Sequence, residues 1–235
     1  MAQSAVLLIC GLGGRASFWD RQVAALAPRF APLAYDLKAR SSVEALARDA
    51  LELLDERGID RCHVVGHSTG GAIAQVLAAD HSARVRSVVL SATWCAPTPP
   101  FAALFRLRKR VLAGLGPQDA ATLGALFAWP DEWLAAHPEL LGAHDPADTP
   151  GLAARMDAIL AFDRSAELGA IRAPTLVLCA EDDRLVPLGH SRRIAAGIPG
   201  AELRVLPRGG HFPQAVDPQT YNSVLLEFLE NADER

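Results

Sequence analysis

The chain has 235 residues, half of them apolar, and a formal net charge of −4 from 23 basic and 27 acidic side chains. That length fits one large domain, or one domain with an insertion, burying about 70–75% of its unfolded surface. The acidic balance argues against a nucleic-acid binder, which carries a basic excess or stripe. No apolar run reaches the ~18–20 residues that span a bilayer, and the first residues lack the basic start and long apolar run of a secretory leader. A cytoplasmic protein is expected, with a small-molecule substrate, no nucleic-acid or membrane partner, and a monomeric or homodimeric state.

Short apolar runs alternate with helical patterns along the chain. Residues 6–10 read as a buried strand, and 18–26 as a helix stopped by Pro28. Residues 31–35 form the next strand, and 42–57 an amphipathic helix ending at Gly58. A strand over 62–65, a helix over 68–79 that is small and apolar all round, and a strand over 85–91 follow. Later, 175–179 is a strand, 187–196 a helix, 202–206 a strand and 218–230 a final amphipathic helix. This alternation predicts an α/β fold, with parallel strands and helices on both faces. The strands are continuous and rich in Val and Leu, as strands buried on both faces are. Residues 94–170 break the rhythm with helical periodicity, many prolines and no convincing strand. They read as an inserted helical cap of four or five short helices, between core segments 1–93 and 171–235. Its one basic cluster, Arg106-Leu107-Arg108-Lys109-Arg110, reads as a solvated helix face, with an anion or partner site as the alternative.

Two stretches carry anion-binding patterns. Gly11-Leu12-Gly13-Gly14-Arg15-Ala16 follows the first strand as G-x-G-x-x-A, and the second strand ends at Asp36. Those are the parts of a dinucleotide-binding βαβ unit, with Asp36 as the ribose ligand. Gly66-His67-Ser68-Thr69-Gly70 matches G-x-S-x-G between a strand and a small-residue helix. In such an elbow the serine sits on a strained turn, and the next amide, that of Thr69, opens a helix and can face an anion. A serine hydroxyl needs a base, and the base an orienting carboxylate. Glu181-Asp182-Asp183 follows the strand at 175–179, and Gly209-Gly210-His211 the strand at 202–206. Both therefore lie on the same carboxyl edge as Ser68. His211 is the candidate base, and the three acids remain alternatives at this level. His63, His67, His81, His137, His144 and His190 read as structural or surface residues, with the His67 ring turned away from the Ser68 hydroxyl. Cys10, Cys62, Cys95 and Cys179 show neither disulfide-framework nor zinc spacing, so no metal is expected.

An elbow serine, an acid loop and a histidine in that order resemble the α/β-hydrolases over nearly the whole chain. The resemblance implies the α/β-hydrolase fold, a mostly parallel sheet of about six strands with an inserted helical cap, and no cofactor. Ala180-Glu181-Asp182-Asp183-Arg184-Leu185-Val186-Pro187 is similar to the family's G-x-x-D-x-x-x-P acid loop, with Ala180 in place of glycine, and selects Asp183. Cys10-Gly11-Leu12-Gly13-Gly14 is similar to its H-G-x-G loop, with Cys10 where histidine is usual. That likeness makes the amides of Leu12 and Thr69 the implied oxyanion hole. Pro130-Asp131-Glu132-Trp133-Leu134-Ala135, Leu178-Cys179-Ala180-Glu181-Asp182-Asp183 and Asp217-Pro218-Gln219-Thr220-Tyr221-Asn222 look most like the aminoacrylate (carbamate) hydrolases of bacterial pyrimidine utilisation. Enol-lactonases are the next resemblance. The loop after Asp36, Leu37-Lys38-Ala39-Arg40-Ser41-Ser42, is shorter than the family's R-G-x-G-x-S.

The expected function is a cofactor-independent serine hydrolase acting through an acyl-enzyme on a small ester, lactone, carbamate or amide-like substrate. Ser68 would be the nucleophile, His211 the base and Asp183 its orienting acid. Trp94, Phe105, Phe127, Trp129 and Phe212 are the expected pocket walls, with cap core as their alternative role. An enol-lactonase or general carboxylesterase, a non-turnover receptor on this fold and an NAD-binding protein are the competing readings.

Overall fold

The structure is a computed structural model that describes residues 3–234. Six strands, β1 (Ala5–Ile9), β2 (Ala31–Ala34), β3 (Cys62–His67), β4 (Val85–Ser91), β5 (Thr175–Ala180) and β6 (Glu202–Leu206), form one parallel sheet in the order β2-β1-β3-β4-β5-β6. Every residue of β3 and β5 is buried, which requires cover on both faces and explains their unbroken apolar runs.

That cover comes from α1 (Asp20–Leu26) packed with α10 (Pro218–Asp233), from α2 (Val43–Glu56) packed with α3 (Thr69–Asp80), and from α8 (Leu188–Gly197) against β5 and β6. The Ser42 hydroxyl caps α2 by accepting from the Ala45 amide at 3.2 Å, satisfying one of the free first-turn donors. Pro218 opens α10, and Asp217 caps it by accepting from the Thr220 amide.

Between β4 and β5 the chain is helical: α4 (Pro99–Gly114), α5 (Pro117–Ala128), α6 (Asp131–Ala136) and α7 (Thr149–Ala161), with short 3-10 turns. Prolines stand in the first turn of α4, α5 and α7, where a missing N–H costs nothing. The single helix expected over 18–26 is instead a 3-10 turn (Ala16–Trp19) running into α1. A four-residue helix, α9 (Pro213–Val216), follows β6 and had no separate sequence signal. No helix among the described residues is long and apolar enough to cross a membrane.

The chain runs outward from β1 to β2, then returns to place β3 on the other side of β1. Neighbouring strands therefore feed loops that diverge, and a crevice opens at the carboxyl ends of β1 and β3. The glycine-rich loop follows β1 and Ser68 follows β3, so both fall at this crevice.

Candidate active site

Ser68 has φ 54° and ψ −117°, a conformation that is strained for a residue with a Cβ. The surroundings hold it there. Its amide donates to the Ser91 carbonyl at 2.9 Å, and its carbonyl accepts from the Thr93 hydroxyl at 2.7 Å and the Gly71 amide at 2.9 Å. Strand and helix approach too closely for side chains: a Cβ on Gly66 would overlap the Gly70 carbonyl, and one on Gly70 the Ile9 carbonyl. Thr69 is the first residue of α3, so its amide has no acceptor within the helix.

The acid loop distinguishes its neighbours by hydrogen bonding. The Oδ2 of Asp183 lies 2.8 Å from the Nδ1 of His211. Its Oδ1 accepts from the amides of Leu185 and Val186 at 2.9 and 2.8 Å. Those two donors aim the carboxylate, and the pair is almost fully buried. Asp182 turns the other way and accepts from the amides of Gly210 and Gly209 at 2.8 and 3.3 Å, holding the loop that carries His211. The His211 amide donates to the Ala128 carbonyl at the end of α5 at 2.7 Å. Arg184 donates to the carbonyls of Leu126 and Trp129 and to Asp131. The acid and histidine loops are thus both tied to the overlying helices.

The loop after β1 presses on the elbow: a Cβ on Gly11 would sit 3.1 Å from the Cβ of Ser68. Its turn closes with a 3.0 Å bond from the Gly14 amide to the Gly11 carbonyl. Asp36 pins its far end, accepting from the Ala16 amide at 2.7 Å and from Arg15 at 3.0 Å. The loop beyond it folds back on α2, where Lys38 and Arg40 converge on the buried carboxylate of Asp49. Leu12, Ser68 and His211 face one cavity of about 480 Å³, together with Phe105, Trp129 and Phe212. That volume suits a small ligand.

Residues 6–224 match the family described as the alpha/beta hydrolase family. The chain belongs to that family. It is 39% identical over 243 residues to a protein of Variovorax paradoxus (strain S110) named "Putative carbamate hydrolase RutD", covering 96% of this chain and 91% of that protein. A protein of the same name from Stutzerimonas stutzeri (strain A1501) is 37% identical, covering 95% and 91%. Among solved structures, the enol-lactonase from Burkholderia xenovorans LB400 superposes with a TM-score of 0.90 at 25% identity, covering 98% of this chain and 92% of that one.

In this alpha/beta hydrolase two of the expected pocket walls lie elsewhere. Trp94 is fully buried against Phe101 and Phe162 and does not line the Ser68 cavity. Its position just past β4 turns it beneath α4 into the core. Phe127 points from α5 into a separate groove beside α8, because Gly124, Ala125 and Ala128 occupy the face of α5 that looks onto the cavity.

The surroundings of two other residues of the hydrolase come into view only in three dimensions. His67 is buried, with no hydrogen-bond partner on either ring nitrogen. Its ring packs 4.7 Å from that of His211 and 4.9 Å from that of Phe18. Burial, and then the neighbouring His211, hold it well below the ordinary histidine pKa, so it stays neutral beside the candidate base. Arg155 on α7 is fully buried, donates to the Leu12 carbonyl at 2.8 Å and pairs with Asp148. It clamps the loop that presents Leu12. The glycines at 14 and 151 leave room for it: a Cβ on either would crowd the guanidinium.

The four cysteines are free and buried. Cys10 has its thiol pushed up to about 12 by burial, so it remains protonated. Among the described residues no group of three His, Cys, Asp or Glu side chains is placed to hold a metal ion.

Proposed function

We propose that this hydrolase cleaves a small carbamate or enol-lactone-like substrate by serine catalysis. The observation that carries the reading is the buried Asp183–His211 pair opening onto the same cavity as the strained Ser68. Ser68 attacks the substrate carbonyl carbon while His211 removes the hydroxyl proton through Nε2. Asp183 holds the other ring nitrogen, which sets the tautomer and stabilises the imidazolium. The amides of Leu12 and Thr69 receive the developing oxyanion, a contribution of about 10²–10³ in rate per donor. His211 returns its proton to the leaving alcohol, enol or amine, and an acyl-enzyme forms. Water, deprotonated by His211, then releases the acid and restores Ser68. The substrate class rests on the names of the two relatives and of the enol-lactonase, and the cavity is small enough to suit it.

The test is labelling with a fluorophosphonate probe, alongside turnover of a panel of p-nitrophenyl esters, lactones and carbamates. Ser68→Ala should lose the label and lower kcat by up to about 10⁶ with its melting temperature retained. Full turnover in that variant would rule the mechanism out.

A further inference from the structure

The basic cluster at 106–110 divides once α4 is in place. Arg106 and Arg110 face solvent, Lys109 pairs with Asp157, and Arg108 turns inward. Phe101, Phe105, Arg108 and Leu112 share the buried stripe of α4, so Arg108 stands where the helical period calls for an apolar residue. It lines the Ser68 cavity.

We propose that Arg108 is the subsite in which this hydrolase grips a carboxylate carried by its substrate, outside the bond that is cleaved. This deepens the serine-hydrolase reading and rests on it for the identity of the cavity.

The argument begins with an unmet charge. Arg108 is 8% exposed, and its Nε is buried without a hydrogen-bond partner. Among the described residues no carboxylate lies within ion-pair distance of it. Among the described residues its guanidinium instead meets the face of Phe105, 5.2 Å from the guanidinium carbon. The other arginine lining the cavity, Arg15, is matched with Asp36 and Asp145, and the buried Arg155 nearby is matched with Asp148. Burial alone pushes Arg108 down to about 10, so it is still charged at neutral pH.

Burying an unpaired cation is unfavourable, and leucine or methionine would fill the stripe without that cost. The neighbouring helix also makes room for this group in particular. A Cβ on Gly124 of α5 would overlap the guanidinium. A planar fork of donors facing the cavity fits a carboxylate, which can accept two parallel bonds. One unmatched cation fits a single negative charge. A phosphate dianion would meet one unmatched cation in a cavity that also carries the carboxylates of Asp145 and Asp148.

The experiment compares the p-nitrophenyl monoesters of succinate and glutarate with the same esters whose free carboxylate is methyl-capped. The wild-type protein should prefer the free acid of at least one chain length by about 10-fold or more in kcat/KM. In Arg108→Met that preference ratio should fall about 10- to 100-fold, mainly through KM, the range expected for a charge-assisted hydrogen bond. Arg108→Lys should recover part of it.

No preference in the wild type, a preference kept in Arg108→Met, or a parallel fall for capped and free esters would each overturn the proposal. The wild-type comparison and Arg108→Lys decide the matter if Arg108→Met does not fold. If no ester turns over in a Ser68-dependent way, the hydrolase reading has failed instead. The subsite is then read from the thermal shift given by monomethyl glutarate: stabilisation of the wild type that is lost in Arg108→Met supports it, and equal shifts overturn it.

Discussion

Replacing Arg155 by methionine keeps an unbranched apolar stem on α7 and removes the charge that ties this helix to the loop after β1. Arg155 has no exposed surface. Its guanidinium donates to the Leu12 carbonyl at 2.8 Å and the Leu37 carbonyl at 3.5 Å, and pairs with Asp148. Removing one member of a buried ion pair costs about 3–5 kcal/mol, because the remaining charge is left uncompensated. The Asp148 side chain keeps 25% of its surface in water, which favours the lower end, about 3 kcal/mol. For a chain of this size each kcal/mol moves the melting temperature by roughly 2–4 °C, so a drop of about 6–12 °C is expected by differential scanning calorimetry. The freed Leu12 carbonyl also loosens the loop that carries the proposed oxyanion donor, the Leu12 amide. The kcat on an activated ester should therefore fall more than KM rises, by up to the 10²–10³ assigned to one donor. Adding Asp148→Asn should recover part of the lost stability, since it removes the stranded charge. A shift under about 2 °C, or additive losses in the double variant, would show that the clamp carries no energy.

Asp183→Asn removes the charge facing His211 and should lower kcat by about 10⁴, the scale of a lost triad carboxylate, with little change in melting temperature. Asp182→Asn alters only the acceptors for the Gly209 and Gly210 amides and should lose less than about 10-fold, since no charge next to His211 is removed. Equal losses in the two variants would contradict the assignment. Stability should also fall as the solution is acidified through pH 6.5. Burial holds His63, His67 and His190 below their ordinary value of 6.5, so the unfolded chain binds protons that the folded chain refuses. Each such histidine can contribute a slope of at most about 1.4 kcal/mol per pH unit. The urea midpoint should be lower at pH 5.5 than at pH 7.5, and an equal or higher midpoint at pH 5.5 would refute the sign.

Much of the fold was legible because its signals are local. The predicted strand limits at 85–91 and 202–206 coincide with β4 and β6, and Ser42 caps α2 where the pattern placed its start. The glycines at 66 and 70 announced the close approach at Ser68 before any contact was known. Composition could not say which of three adjacent acids meets His211. Side chains in a turn diverge, and Asp182 and Asp183 serve different neighbours. Asp36 shows the reverse error: its place after a strand suggested a ribose ligand, yet it holds the Ala16 amide and Arg15.

The order of residues by itself determined the alternating elements, the parallel sheet and the loops that bring Ser68, Asp183 and His211 to one edge. Each depends on side-chain period and turn chemistry within a few positions. Only the tertiary structure decided which groups of the inserted helices face that edge. Arg155 meets Leu12 across 143 positions of chain. Arg108 enters the cavity while its neighbours Arg106 and Arg110 stay in water, and Trp94 and Phe127 turn away. These placements follow from how α4, α5 and α7 lie over the loops after β1 and β3. That arrangement is set by packing between distant segments, and nothing in the local sequence records it.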